Sequence, residues 1–154
     1  MTPPSLHHVA FACRDLDETH AFYREILELP LVHTEAAPFP GGGTMKHVFY
    51  DLGDGSCLAF FALPKAPART AISTDLGLPV WVNHFAIRVD EERQRYLAGR
   101  LEAAGVDTTM DVDHGWCHSL YFTDPNGILV ELCRDTPGLT PDPEEAERLR
   151  TASV

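Results

Sequence analysis

Apolar and polar residues alternate with a period of two along most of this chain, and helical spacing interrupts the pattern twice. Leu6 to Cys13 reads as a strand, with His8, Ala10 and Ala12 on one face and Val9 and Phe11 on the other. Asp15, with Glu18 three residues on, is a capping-box-like start, and Leu16, Phe22, Tyr23, Ile26 and Leu27 give the helix an apolar stripe. Pro30 closes the helix, and a second strand is expected over Leu31 to Glu35. Residues 36–44 contain Gly41-Gly42-Gly43. Because a β-like run follows rather than a helix, the triplet predicts a flexible loop and not a phosphate cradle. His47 to Leu52 and Ser56 to Leu63 then read as strands around Gly53-Asp54-Gly55.

After a Pro- and Ala-rich bridge over 64–79, the pattern repeats. Val80 to Val89 reads as a strand with His84, Ala86 and Arg88 on one face. Asp90 opens a helix through Ala104 that Gly105 closes, and a short strand is expected near Val106 to Met110. Ser119 to Thr123 and Ile128 to Leu132 form a hairpin around Asp124-Pro125-Asn126-Gly127, where Pro suits the second turn position. Leu120, Phe122, Val130 and Leu132 share one face of it, and Tyr121, Thr123, Leu129 and Glu131 the other. Overlaying the halves pairs His8 with His84, Gly55 with Gly127, Phe49 with Tyr121 and Ala59 with Glu131, an internal repeat of a β-α-β-β-β unit. The expected fold class is α+β: two such modules, about 5–63 and 80–135, pair into a cupped mixed sheet with the helices outside. Residues 136–154 form a tail with a short acidic helix from Pro143 to about Arg150.

At 154 residues the chain suits one two-module domain with a sizeable core. Its net charge of -11 argues against nucleic acid and anionic membrane as partners. Cys13, Cys57, Cys117 and Cys133 form no C-x-x-C pair and are expected to be reduced thiols. No apolar run approaches membrane-spanning length and no basic start precedes one, so a cytoplasmic protein is expected.

A carboxylate on an otherwise apolar strand needs a partner. By alternation, His8 and His84 on the two first strands project from the same face as Glu131, with Ala10, Ala12, Ala59 and Ala86 leaving space around them. Taken alone, each histidine is an ordinary strand residue; their equivalent places in the repeat make the case. Two His and one carboxylate with open positions is a set that favours non-haem Fe(II) chemistry. His7, His20 and His33 are expected to be solvated, and His118 structural.

At these residues the chain resembles the vicinal oxygen chelate superfamily. The marks are His8-Val-Ala-Phe-x-x-x-Asp15-Leu, Phe22-Tyr23, His84-Phe-Ala-Ile-x-Val and Tyr121-Phe-x-Asp-Pro-x-Gly-x-x-x-Glu131, spread over about residues 6–134. The resemblance implies a metal held by His8, His84 and Glu131, and the fourth ligand position of glyoxalases and epimerases falls on Ala59, which cannot ligate. Val112-x-His114 ahead of the hairpin motif is similar to the signature of type I extradiol dioxygenases. That likeness implies Fe(II), with Mn(II) as substitute, and cleavage of a small aromatic diol with O2, with His47, His114 and Tyr121 as catalytic residues. Trp116 and Phe49 either wall an aromatic pocket or pack in the core, and Arg88 either anchors an anionic substituent or is solvated. The alternatives are a metal-dependent thiol transferase or isomerase of the same superfamily, and a metal-free small-molecule-binding resistance protein. A homodimer is expected by analogy, with the cup formed within one chain or between two.

Overall fold

The computed structural model describes residues 3–65 and 76–152. Strand β1 (His8–Cys13) leads through α1 (Leu16–His20) and a π-helical stretch (Ala21–Ile26) to β2 (Leu31–Pro38), β3 (Thr44–Asp51) and β4 (Cys57–Ala62). The second module repeats the order with β5 (His84–Arg88), α2 (Glu91–Ala103), β6 (Thr108–Asp113), β7 (Cys117–Thr123) and β8 (Leu129–Asp135), and α3 (Pro143–Thr151) follows. Each module folds into a four-stranded mixed sheet, ordered β1-β4-β3-β2 and β5-β8-β7-β6. In both, the first strand runs parallel to the last and the other pairings are antiparallel. The register matches the sequence overlay: Phe49 faces Ala59 across one sheet as Tyr121 faces Glu131 across the other.

Several boundaries differ from expectation. The strand expected from Val80 begins only at His84, because 80–83 form a turn in which Val82 N donates to Pro79 O at 3.1 Å. Strand β2 runs on to Pro38, since Ala36 and Ala37 continue its ladder against Lys46 and Met45, so the glycine loop is shorter than residues 36–44. Strand β6 lies over Thr108–Asp113 rather than 106–110, which brings Val112 opposite Ser119. Of the bridge expected over 64–79, residues 66–75 lie outside the described residues.

Strand alternation sorts the two faces of each sheet. Leu58, Phe60, Val48 and Tyr50 of the first, and Ile87, Leu120, Phe122, Val130 and Leu132 of the second, join one core with Phe22, Tyr23, Leu27, Leu97 and Leu101 from the helices. Phe11 of β1 meets Phe85 of β5 at 5.6 Å between ring centroids, and Phe22 meets Phe122 at 6.0 Å. Burying side chains of this size contributes about 1.5–3 kcal/mol each, which makes this shared core the main force joining the modules.

Polar contacts fix how the modules meet. The buried Tyr23 hydroxyl donates to Asp124 Oδ2 at 2.9 Å. Asp124 Oδ1 accepts from the Asn126 and Ile128 amides at 2.9 and 2.7 Å, closing the hairpin turn in which Gly127 takes φ 83°. Asn126 Oδ1 reaches back to the Arg14 amide at 2.8 Å, beside the N-cap of α1. At the far end of that helix, Glu28 takes a positive φ of 57°, costly for a side-chain-bearing residue, and is held by Arg93 at 2.9 Å and the Tyr96 hydroxyl at 2.8 Å from α2. The helices therefore lie on the core side of both sheets. The faces carrying His8 and His84 point away from it.

Candidate metal centre

Glu131 sits in the middle of β8, buried, with Ala86 of β5 on one side and Tyr121 of β7 on the other. Its Oε2 lies 2.9 Å from Nε2 of His84, the first residue of β5. Its Oε1 accepts a hydrogen bond from the Ser119 hydroxyl. On its other side, His84 donates from Nδ1 to the Trp81 carbonyl at 2.8 Å. That bond places a proton on Nδ1 and turns Nε2 toward the carboxylate. A proton or a divalent cation shared between Nε2 and Oε2 satisfies both atoms. The donor pair therefore fits a divalent metal ion.

His8 stands on the other sheet. Its Nδ1 is 2.8 Å from Nδ1 of His7, and its ring lies edge-on to Phe49 at 5.5 Å and His47 at 6.1 Å. Among the described residues, no group of three metal-binding side chains within 4.8 Å contains His8. His84 and Glu131 meet within one chain, and His8 stands on the sheet of the first module. Ala59 is buried and offers no ligand atom.

The expected acid/base residues divide in the same way. His114 Nε2 meets the Tyr121 hydroxyl at 3.3 Å, and the Tyr121 ring lies edge-on to His84 at 5.6 Å, so both stand beside Glu131. Burial pushes the Tyr121 phenol up from its ordinary value, so it stays a proton donor at neutral pH. His47 belongs to the first module, stacked on Phe61 at 3.7 Å and close to Phe49 at 4.1 Å. Its Nδ1 is 3.7 Å from Glu35, while its buried Nε2 has no hydrogen-bond partner. Burial lowers its pKa, which favours the neutral imidazole.

The remaining residues resolve simply. Trp116 is 64% exposed, so the core alternative for it falls, and Phe49 is only half-buried beneath His8. Arg88 is exposed and paired with Asp135 at 3.0 Å. His118 is structural, 2.9 Å from Asp111 and 3.4 Å from the Gln94 side chain. His7 and His33 are exposed as expected, whereas His20 is half-buried with Nδ1 3.1 Å from the Tyr50 hydroxyl. All four cysteines are free thiols. Ser119 and the Trp81 carbonyl, which hold the two ends of the His84–Glu131 pair, were not foreseen. Alternation from Tyr121 pointed to Ser119; nothing in the sequence pointed to a backbone carbonyl.

The chain is thus built of paired β-α-β-β-β modules, each presenting a histidine on its first strand and one a glutamate on its last. The chain belongs to the glyoxalase/bleomycin resistance protein/dioxygenase superfamily, whose family-wide pattern matches residues 5–132. It is 31% identical over 134 residues to Glyoxylase I 4 of Arabidopsis thaliana, spanning 84% of this chain and 70% of that protein. Among solved structures, a glyoxylase/bleomycin resistance protein/dioxygenase domain from Frankia sp. EAN1pec superposes with a TM-score of 0.71 at 21% identity, covering 90% of this chain and 96% of that one. A mutant of the fosfomycin resistance protein FosX from Listeria monocytogenes, complexed with Mn(II) and 1S,2S-dihydroxypropylphosphonic acid, gives 0.63 at 22% identity, covering 96% and 99%. No helix among the described residues is long and apolar enough to cross a membrane.

Proposed function

We propose that the protein is a divalent-metal enzyme acting on a small substrate that chelates through two neighbouring oxygen atoms, with lyase, isomerase or transferase chemistry. The observation that carries this reading is the approach of His84 Nε2 to the Glu131 carboxylate at 2.9 Å, with both partners anchored from behind. The named relatives support it: one is a glyoxylase I, and one binds Mn(II) with a vicinal diol phosphonate. A bound divalent cation would polarise the substrate oxygens and lower the barrier to proton loss beside them.

The chain's own residues would do the rest. Ser119 and the Trp81 carbonyl hold the ligands in orientation, so little reorganisation accompanies binding. Tyr121, kept protonated by burial and touched by His114, can donate to a developing negative oxygen. His47, neutral and with a free Nε2, can take and return a proton.

The cup itself would form between two chains. The histidine-bearing face of each sheet turns away from the shared core, and a second copy that brings its own His8 to His84 and Glu131 would complete the ligand set. In this reading the protein is a homodimer, and each site takes His8 from one chain and the pair from the other.

A second reading, Fe(II)-dependent ring cleavage of an aromatic diol with O2, is favoured by the His114–Tyr121 contact beside Glu131. One experiment separates the two. The protein is loaded anaerobically with Mn(II) or Fe(II) and offered a hemithioacetal, a phosphonate epoxide and a panel of catechols, with oxygen uptake followed throughout. Turnover of either of the first two without oxygen uptake is the expected result. Stoichiometric oxygen consumption with a yellow ring-opened product would replace the first reading by the second, and a protein that binds neither metal would overturn both.

A further inference from the structure

Beyond Glu131, the same face of the second sheet carries two cysteines with no part in the function described above. Ser119 pairs directly with Cys133 across the β7–β8 ladder and Tyr121 with Glu131, so Cys117, Ser119, Glu131 and Cys133 all project together. The Ser119 hydroxyl lies 3.7 Å from the Cys117 sulfur and 3.8 Å from the Cys133 sulfur. Both sulfurs and a Glu131 oxygen lie within 4.8 Å of one another. Cys117 is buried, and Cys133 is half-buried.

We propose that Cys117, Cys133 and Glu131 form a second metal site, selective for a thiophilic divalent cation such as Zn(II) or Cd(II). The donor chemistry separates it from the histidine site. Thiolates select soft and borderline ions, whereas imidazole and carboxylate with open positions suit Mn(II) and Fe(II). The spacing is close to what such an ion needs. With metal–sulfur bonds of about 2.3 Å and tetrahedral angles, ligand atoms sit about 3.5–4 Å apart, so a contraction of at most about 1.3 Å closes the site. The two carboxylate oxygens face different neighbours: Oε2 serves His84, while Oε1 points to Ser119 among the thiols. A soft ion would displace the Ser119 hydroxyl from Oε1 and bind without help from His8 or His84.

The test is a titration of the purified full chain with Cd(II) alone, following the ultraviolet thiolate-to-metal charge-transfer band. The expected result is a band saturating at one ion per chain. Cys133→Ser should abolish it; Cys133 is chosen because it is only half-buried, and circular dichroism verifies its fold. The band should survive in His8→Ala, in His84→Ala and in a Cys13→Ala/Cys57→Ala variant, which removes the thiols of the first module. Absence of the band in the unmutated protein would overturn the proposal whatever the variants do, and so would a band unchanged in Cys133→Ser. Failure of the histidine site would appear separately, as Mn(II) binding unaffected by His84→Ala.

Discussion

The outward direction of the two histidine faces depends on how the modules are joined, and Tyr23→Phe tests that joint directly. Tyr23 belongs to the first module and is fully buried, and its hydroxyl donates to Asp124 in the hairpin turn of the second at 2.9 Å. The substitution keeps the ring against Phe60, 4.8 Å between centroids, so little packing is lost. What is lost is one buried hydrogen bond to a carboxylate, about 1.5–3 kcal/mol in such settings. Asp124 Oδ2 still accepts from Asn126 Nδ2 at 2.9 Å, so the loss falls in the lower half of that range, about 1.5–2 kcal/mol. For a chain of this length that is a drop in Tm of about 3–8 °C. Urea and thermal unfolding at fixed protein concentration would measure it, because association shifts apparent stability by mass action. Combined with Asp124→Asn, the two substitutions should be strongly non-additive, since they share one contact. A Tyr23→Phe change within about 0.5 kcal/mol of zero, or additive behaviour of the pair, would refute this joint between the modules.

Three further outcomes follow from the same contacts. Ser119→Ala frees Glu131 Oε1 and should weaken Mn(II) affinity by about 10- to 100-fold with the fold intact; unchanged affinity by calorimetry would remove Ser119 from the site. His47→Ala should leave metal binding intact and slow turnover by about 10²–10⁴, and unchanged kinetics would exclude it as acid/base. Burial holds the Asp124 carboxyl above its ordinary value, partly opposed by its hydrogen bonds, so its contribution is present at low pH and fades as pH rises through the folded value. Asp124→Asn should therefore cost less stability at pH 7 than at about pH 4, and a larger cost at pH 7 would contradict the sign.

Much of the architecture was legible in the sequence because alternation and turn chemistry are local. The Asp124-Pro125-Asn126-Gly127 turn and the spacing of His8 and His84 predicted the repeat, and the strand register confirms it. Boundaries failed where local signals mislead: Val80-Trp81-Val82 looks like a strand, yet it bends so that the Trp81 carbonyl meets His84. The meeting of His84 with Glu131 was readable from alternation across neighbouring strands. The position of His8 was not, because alternation assigns a face within one sheet and says nothing of how two sheets sit on a common core. That depends on Phe22, Tyr23, Phe122 and their partners, which are far apart in the sequence.

A mixing experiment tests the shared metal centre most directly. His8→Ala and Glu131→Ala chains are purified separately, then unfolded, mixed and refolded together, and bound Mn(II) is counted. If each site takes His8 from one chain and His84 with Glu131 from the other, a mixed pair holds one intact site although neither parent binds metal. Metal should return in the mixture and be absent from both variants refolded alone. No return of metal in a mixture shown to contain mixed pairs would contradict a site shared between chains.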